Sequence, residues 1–506
     1  MSDNTRIAKN TLFLYFRSFL MMAVNLYASR IILQALGVSD YGLYGAVGSI
    51  VAMFTIINGV LAAGSSRFLT FELGRGNYEE LKKTFSASFA LHVVMALLLL
   101  IMFETIGLWF VNYKMKIPEG REFAANIVYQ LSVLTCMFSL TQVPYRASII
   151  AHEHMAIYAY VGLAEALFKL VLVFLLLYIP FVDNLVAYAI IVAFWSIVLQ
   201  IFYRFYCYKH FPESHLVICR DKSIYKGMLS YSLWDMVGQF CSTGNTQGLN
   251  ILINLFFGVT INATRAVAYQ VESVLTQFSS NFMTAVNPQI VKSYANNDVN
   301  RFFYLIYESG KYSFFLLFIV SLPILLETDY ILSIWLVKVP EQTVLFLRLI
   351  IIHTLLRVFV KPVINGVHAT GNVKTLNLTS GLYSALTFLP AIYCLYKLGL
   401  PAWSCFYVQY FSGAVCTLLE VRALYKNIRF NVVDFFVKVY ACAISIALIA
   451  SIPSSIILLF LDEGLFRLIA VCITSIVSSV FCVLFLGMSK HQRINILYHV
   501  TKKMIR

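Results

Sequence analysis

Apolar residues run along this chain in long stretches that are separated by short polar turns, from one end to the other. Each stretch is long enough to cross a hydrocarbon core of about 30 Å as an α-helix, and the loops between them are too short to hold a soluble domain. The pattern predicts an all-α polytopic membrane protein with about fourteen transmembrane helices. The predicted spans are 10–33, 41–63, 85–110, 123–145, 156–180, 184–206, 227–256, 260–290, 304–326, 341–366, 373–396, 401–421, 436–460 and 465–487.

The composition supports this prediction, because 60% of the 506 residues are hydrophobic and only 12% are charged. The net charge of +14 could indicate an anionic partner, but the positions of the basic residues give another explanation. With the N-terminus in the cytoplasm, 27 of the 38 Lys and Arg residues fall on cytoplasmic segments, 7 on the opposite side and 4 inside spans. This bias follows the positive-inside rule, so we expect both termini in the cytoplasm and no nucleic-acid partner.

The ten cysteines are scattered singly, without the paired spacing of a metal site. We interpret them as small buried hydrophobic residues. The sequence therefore predicts no metal site and no cofactor beyond a coupling ion, H⁺ or Na⁺.

The second half of the chain repeats the first at a nearly constant distance. LGVSDYGLYGAV at 36–47 corresponds to FGVTINATRAVA at 257–268, and GRGNYEEL corresponds to ANNDVNRF, both at a shift of 221 residues. At a shift of 218, Pro144 and the polar turn after it match Pro362 and its turn. The repeat unit holds six spans, an even number, so we expect two pseudo-symmetric lobes that enter the membrane in the same sense.

This repeat defines the expected domain organisation. Two six-helix lobes would enclose a central cavity, as in transporters that work by alternating access, and two C-terminal helices would be an addition. The predicted parts are an N-terminal lobe over 1–207, a cytoplasmic linker over 208–226, a C-terminal lobe over 227–424, and spans 13 and 14 with a basic tail over 425–506.

Two stretches are the most distinctive, NTLFLYFRSFL followed by NLYASRIILQALGVSDYGLYG in the first lobe and NILINLFFGVTINATRAVAYQV in the second. With the two-lobe architecture they resemble the O-antigen and capsule polysaccharide flippases of the multidrug/oligosaccharidyl-lipid/polysaccharide exporter superfamily. The resemblance covers essentially the whole chain. It implies a protein of the bacterial inner membrane that flips undecaprenyl-pyrophosphate-linked oligosaccharide units for surface polysaccharide and lipopolysaccharide assembly. It also implies contacts with the bilayer and with polysaccharide polymerase and assembly proteins.

Polar groups at membrane depth are costly and tend to mark a transport path. Arg17 lies about seven residues into the first span, roughly 10 Å deep, and a guanidinium can bind two phosphate oxygens at once. The resemblance favours this role, because cavity-facing arginines in the first helix are a feature of such flippases. The alternative is an arginine that reaches back to the lipid headgroups. Asn25 is a second substrate-binding candidate in this span.

The eighth span carries a polar face. Arg265 lies near its outer end, and Gln270, Gln277 and Asn281 follow on one side of the helix. Such a face contacts either a partner helix or a wet cavity, and both interpretations stay open. In the second, Arg265 would bind pyrophosphate, the amides would bind sugars, and Arg348 of the tenth span would line the outer cavity.

The seventh span combines glycines and amides with one carboxylate, Asp235, and this composition is typical of a bent or partly unwound helix. Asp235 is the predicted carrier of a coupling ion, with a carboxylate at the cytoplasmic rim as the alternative. The resemblance supports the first interpretation, because related lipid-linked flippases have cation sites at this span. Asn377 and Thr379 of the eleventh span would complete an oxygen cage.

Two further pairs have spacings that favour ion pairs along one helix. They are Glu165 with Lys169 and Glu308 with Lys311.

The flippase hypothesis has two competitors. A drug or metabolite antiporter of the same superfamily would carry acidic rather than basic residues in its cavity, and Arg17 and Arg265 argue against it. A membrane-embedded polymerase or glycosyltransferase would need a long external loop or a carboxylate cluster, and the sequence contains neither. We therefore expect a transporter and not an enzyme.

Overall fold

The computed structural model describes residues 3–52, 55–115, 117–179, 183–336, 339–488 and 492–493, so most of the predicted basic tail falls outside the described residues. Within these ranges all regular structure is helical, which confirms the predicted fold class. The main helices are α1 (Asp3–Ala52), α2 (Thr55–Arg75), α3 (Tyr78–Tyr113), α4 (Glu122–Ala151), α5 (Met155–Tyr178), α6 (Asn184–His210), α7 (Lys222–Ala295), α8 (Val299–Leu326), α9 (Thr328–Trp335), α10 (Thr343–Thr370), α11 (Lys374–Lys397), α12 (Cys405–Asn427), α13 (Val432–Phe460) and α14 (Leu465–Gly487).

Among the described residues, nine helices are long and apolar enough to cross a membrane by themselves. They are α3, α4, α5, α6, α8, α10, α11, α13 and α14. The other predicted spans fall on α1 with α2, on the two parts of α7 and on α12, which carry more polar residues. Short π-helical turns interrupt several helices, among them Phe103–Gly107 in α3 and Asn377–Gly381 in α11.

The repeat seen in the sequence reappears in the backbone. Helices α1 and α7 each contain one residue that departs from helical geometry, Gly37 (φ 75°, ψ 167°) and Gly258 (φ 77°, ψ −172°). The two glycines are 221 residues apart. This combination of angles is essentially restricted to glycine, so both halves join their first two predicted spans by the same device.

Every described residue with positive φ in the first half has a counterpart in the second, at shifts between 218 and 222 residues. One further position, Gly399, corresponds to residue 181, which lies outside the described residues. The match extends through the whole repeat and confirms the two pseudo-symmetric halves. The four pairs are Gly37 and Gly258, Gly76 and Asn297, Gly120 and Gln342, and Glu153 and Gly371.

The last two helices attach to the second half through α8. Arg467 at the start of α14 forms two hydrogen bonds of 2.8 and 2.9 Å with the buried carboxylate of Glu327, just after α8. Within the added pair, Ser475 donates to Ser454 at 3.0 Å. Polar contacts of this kind hold transmembrane helices together where lipid supplies no hydrophobic driving force.

The chain forms two compact units. The first contains residues 1–239 together with 291–298, and the second contains 240–290 together with 299–506. Both units therefore take part of α7, and the last turn of this helix groups with the first unit.

Candidate functional site

A pair of arginines meets one tyrosine inside the first unit. The central guanidinium carbon of Arg17 in α1 lies 4.4 Å from the centre of the Tyr158 ring, and that of Arg146 in α4 lies 5.6 Å from it. Arg146 donates a hydrogen bond of 3.1 Å to the Tyr158 hydroxyl. Two positive charges thus share one aromatic side chain, an arrangement that favours binding of an anion between or beside them.

The room for Arg17 comes from a glycine. A Cβ atom built on Gly162 of α5 would overlap the Arg17 side chain, so only glycine lets the guanidinium reach the ring. The buried Nε of Arg17 has no hydrogen-bond partner in the described structure. A buried guanidinium nitrogen that donates to nothing is costly, and an anionic ligand would satisfy it.

Arg146 is the residue of this site that sequence analysis missed. The predicted span ends at residue 145, but α4 continues past Pro144 to Ala151, so Arg146 lies inside the helix. It stands five residues before the end of α4, and Tyr158 stands three residues after the start of α5. The site therefore lies about one turn from the helix ends that the turn between α4 and α5 connects. A proline inside a predicted span, with an arginine two residues later, was the available signal.

Asn25, a predicted substrate-binding residue, bonds to another side chain of the protein. Its side-chain oxygen accepts a hydrogen bond of 2.7 Å from Lys169 of α5. The predicted ion pair between Glu165 and Lys169 is wrong, because the lysine turns toward α1. The other predicted pair is confirmed, with Lys311 and Glu308 2.5 Å apart.

A second polar cluster ties the far end of the first unit together, outside the predicted spans. Arg121, just before α4, bonds to Asp40 of α1 and to Asp183, which caps α6, with 2.6 Å from Nη1 to Asp183 Oδ2. The bond to Asp183 raises the pKa of Arg121. Partial burial opposes ionisation of Asp183, but the bonds from Arg121 and from the first amides of α6 outweigh it and lower the pKa. Because the charges of this cluster compensate one another, we interpret it as a structural link between α1, α4 and α6 rather than as a binding site.

In the second unit, Arg265 is buried and spans the break in α7. Its Nη1 donates to Asn250, which precedes Gly258, and its guanidinium carbon lies 4.1 Å from the ring centre of Tyr269. Its Nη2 has no partner in the described structure. Arg265 thus supports the bend in α7 by contacting Asn250 before Gly258 and Tyr269 after it.

The remaining predicted substrate residues are partly committed to other contacts. Gln277 donates to the buried Asn281 at 3.0 Å, one turn away, while Gln270 is exposed. Arg348 donates to Asp329 of α9 at 2.8 Å, so its charge is already compensated.

The predicted cation-coupling residues fall in different compact units. Asp235 is buried in the first, within electrostatic reach of Tyr231 one turn earlier. Asn377 and Thr379 belong to the second, in the π-helical turn of α11. Thr379 bonds to its own helix, whereas the buried amide nitrogen of Asn377 has no partner in the described part of the chain.

A buried ion pair that sequence analysis did not single out lies close to this π-helical turn. Arg357 of α10 makes two hydrogen bonds of 2.9 Å to Glu420 of α12. Ser380 of α11 adds a third bond to the same carboxylate at 3.0 Å, and Thr417 accepts from Arg357 at 2.6 Å. The signal in the sequence was a single carboxylate inside a predicted span, because such a group needs a partner.

Two clusters of charged side chains remain as candidate binding sites, the Arg17 and Arg146 pair and the Arg357 and Glu420 pair. The described residues contain no group of three or more His, Cys, Asp or Glu side chains that could hold a metal. The arginine pair can bind an anion, and the Arg357 and Glu420 pair can exchange its mutual bonds for a proton or a cation.

Comparison with known proteins identifies the fold. No protein-family model matches the chain, and no curated protein matches it. Among solved structures, an outward-facing multidrug resistance MATE family transporter of the MOP superfamily is similar at TM-score 0.72 and 14% identity, over 85% of this chain and 96% of that one. A MATE protein in its straight conformation is similar at TM-score 0.69 and 14% identity, over 87% and 97%.

A third structure is of interest for its site. A MOP superfamily transporter from Pyrococcus furiosus, whose binding pocket is described as reversed in polarity and suggestive of a different function, is similar at TM-score 0.65 and 13% identity, over 84% and 97%. At these identities the comparisons show the fold alone. The chain has the fold of the MATE transporters of the MOP superfamily.

Proposed function

We propose that this protein is a flippase that carries undecaprenyl-pyrophosphate-linked oligosaccharide units across the bacterial inner membrane by alternating access. The observation that carries this proposal is the pair Arg17 and Arg146 on Tyr158, with the buried Nε of Arg17 unpartnered. A diphosphate supplies the oxygens that such nitrogens need. The prenyl tail would remain in lipid, and exposed amides such as Gln270 would bind the sugars.

The resemblance of the sequence to polysaccharide flippases supports the same cargo class. The fold by itself does not distinguish a lipid-linked cargo from a drug, because a multidrug resistance transporter has a similar fold. The Pyrococcus furiosus protein indicates that this fold accommodates binding pockets of opposite polarity. The positive charge of Arg17 and Arg146 is therefore what separates an anionic cargo from a cationic drug.

The second candidate is a cation-coupled drug or metabolite antiporter of the same superfamily. The buried carboxylates Glu420 and Asp235 favour it, since an antiporter needs an acidic group that exchanges a cation. In the flippase the same carboxylates would couple transport to a gradient of H⁺ or Na⁺. Contacts with a polysaccharide polymerase and assembly proteins belong to the flippase proposal alone.

The test is a translocation assay in proteoliposomes. The cargo is undecaprenyl pyrophosphate with a fluorescent sugar, and flipping is read from access of the fluorophore to a membrane-impermeant quencher. Arg17→Ala and Arg146→Ala should each lower the rate by about tenfold or more, since charge-assisted hydrogen bonds contribute about 1.5–3 kcal/mol. Arg17→Lys should restore only part, because lysine lacks the planar fork.

The matched control is Lys209→Ala, which removes an exposed positive charge at the end of α6. It should leave the rate unchanged. Normal flipping by both arginine variants would reject the anionic cargo. Export of organic cations by the native protein, with no movement of the pyrophosphate lipid, would establish the antiporter instead.

A further inference from the structure

The turn between α4 and α5 is unusual for the residue at its centre. Glu153 adopts φ 61°, a conformation that a residue with a side chain occupies at a cost in free energy. At the equivalent turn of the second half, 218 residues later, the chain uses Gly371 with φ 80°. Glycine occupies this conformation without strain, so the glutamate side chain must have another use.

That side chain joins two basic residues from other helices. One carboxylate oxygen lies 2.7 Å from Nε of Arg6 in α1, and the other lies 2.7 Å from Nζ of Lys292 in the last turn of α7. Only 1% of the Glu153 side chain is exposed. Its backbone carbonyl also accepts from Asn10 of α1 at 3.4 Å. One turn thus holds the beginning of α1 and the end of α7.

The end of α7 also packs against the end of α2 without a gap. A Cβ atom on Gly74 would lie 2.9 Å from Cβ of Ala295 and 3.0 Å from Cα of Lys292. This close packing explains why residues 291–298 group with the first compact unit, although the preceding turns of α7 belong to the second. The contact is therefore local to the helix end.

At the corresponding turn of the second half, amide and hydroxyl groups form hydrogen bonds. There Asn427 donates to Thr370 at 3.0 Å, and Asn372 donates to Asn427 at 3.1 Å. These are neutral bonds between α12 and the turn after α10. The bonds described at this turn of the second half are thus neutral, whereas those of the Glu153 side chain join charged groups.

We propose that Glu153, Arg6 and Lys292 form an ion-pair latch that closes the cytoplasmic ends of α1, α2 and α7 and opens each time the carrier loads from that side. The inference rests on the proposed function only in that the protein works by alternating access, and it does not depend on the cargo. A carboxylate with two cationic partners is suited to this use, because the cluster can exist in a dry closed state and a hydrated open state.

The latch can be tested by chemical access to a buried position at the α7 end. Ser293→Cys is a conservative change at a site that is 7% exposed, so its thiol should react only when the helix ends separate. A membrane-impermeant maleimide is added to the cytoplasmic face of inverted vesicles. Mass spectrometry reads labelling at residue 293, so the native cysteines remain in place.

Adding Glu153→Gln should raise the labelling rate by about tenfold or more, because Arg6 and Lys292 lose the carboxylate that holds them together. Glu153→Gly should do the same while relieving the backbone strain, so it separates loss of the latch from misfolding. Glu79→Gln, at an exposed carboxylate in the first turn of α3, is the matched control and should not change the rate.

Equal labelling in all four proteins would overturn the latch. The cargo is tested in a separate arm, in which undecaprenyl-pyrophosphate sugar is added to the protein with Ser293→Cys alone. Faster labelling on addition would support both proposals. Latch-dependent labelling without any cargo effect would keep the latch and reject the cargo.

Discussion

The central guanidinium carbon of Arg17 lies 4.4 Å from the centre of the Tyr158 ring. The same tyrosine accepts a hydrogen bond from Arg146 through its hydroxyl, at 3.1 Å. Arg17 is therefore the closer of the two arginines to the aromatic face, while Arg146 bonds to the oxygen and also lies 5.6 Å from the ring centre. Substitutions at Tyr158 can test both kinds of contact.

Tyr158→Phe should keep the contacts of both arginines with the ring and remove the hydrogen bond of Arg146, whereas Tyr158→Leu should remove both kinds of contact. We expect the phenylalanine variant to flip cargo about threefold to tenfold more slowly, the effect of one hydrogen bond, and the leucine variant to lose more. The measurement is the proteoliposome flipping rate at saturating and limiting cargo. Equal rates in the two variants would mean that the ring does not hold Arg17.

Gly162→Ala should impair transport without changing any charge. The added methyl group would occupy the place of the Arg17 side chain and force the guanidinium away from Tyr158. Gly45→Ala is the control, because a Cβ there meets nothing within 4 Å. Cargo affinity, measured by equilibrium binding in detergent, should fall for the first variant and stay unchanged for the second; an unaffected Gly162→Ala protein would contradict the assigned position of Arg17.

Gly37→Ala and Gly258→Ala should destabilise the protein by similar amounts, about 1–3 kcal/mol each, because both positions have backbone angles that only glycine adopts freely. Thermal unfolding in detergent would measure the loss, again with Gly45→Ala as the control. A neutral result at one of the two glycines would show that the two halves do not share this joint.

The α4 to α5 turn should weaken on mild acidification. Burial lowers the pKa of His154 from its ordinary 6.5, and the nearby positive charges of His152, His210 and Lys292 lower it further. The folded protein then keeps a neutral imidazole, while the unfolded chain takes up a proton below a pH of about 6.5. Because the unfolded state binds more protons, stability falls as the pH drops below that value, until the lowered pKa is passed.

The measurement for this prediction is the unfolding temperature in detergent at a pH of about 7.5 and of about 5.5. The native protein should lose stability at the lower pH, and His154→Gln should reduce that loss. Glutamine can still bond to Tyr206, which lies 3.1 Å from the histidine ring nitrogen. The same pH dependence in both proteins would assign the effect to other groups.

Removing one partner of the Arg357 and Glu420 pair should lower the stability of the protein much more than replacing both partners with apolar residues. Glu420→Gln leaves a buried guanidinium without its counter-charge, and we expect a loss of about 3–5 kcal/mol. Arg357→Met combined with Glu420→Leu should restore most of the stability. If the pair couples transport to an ion gradient, the double variant should be stable and yet lose the dependence on that gradient; full coupling in that variant would leave the pair a purely structural role.

The bend that the sequence predicted inside the seventh span is wrong, because the break in α7 lies after that span, at Gly258. What the sequence by itself determined is the order of the apolar spans and their repeat. The reason is that insertion of a helix into a membrane depends on the summed hydrophobicity of about twenty adjacent residues, and that the repeat places similar residues, such as Gly37 and Gly258, at the same distance along each half. Both can be read along the chain without knowledge of how the helices pack.

The tertiary structure alone decided which side chains meet. Arg146 joined Arg17 because α4 continues past its proline and because Gly162 leaves space on α5. Lys169 bonded to Asn25 on another helix instead of the glutamate one turn away. Such contacts depend on the rotation and depth of helices that are distant in the chain, and packing between whole helix surfaces sets both quantities.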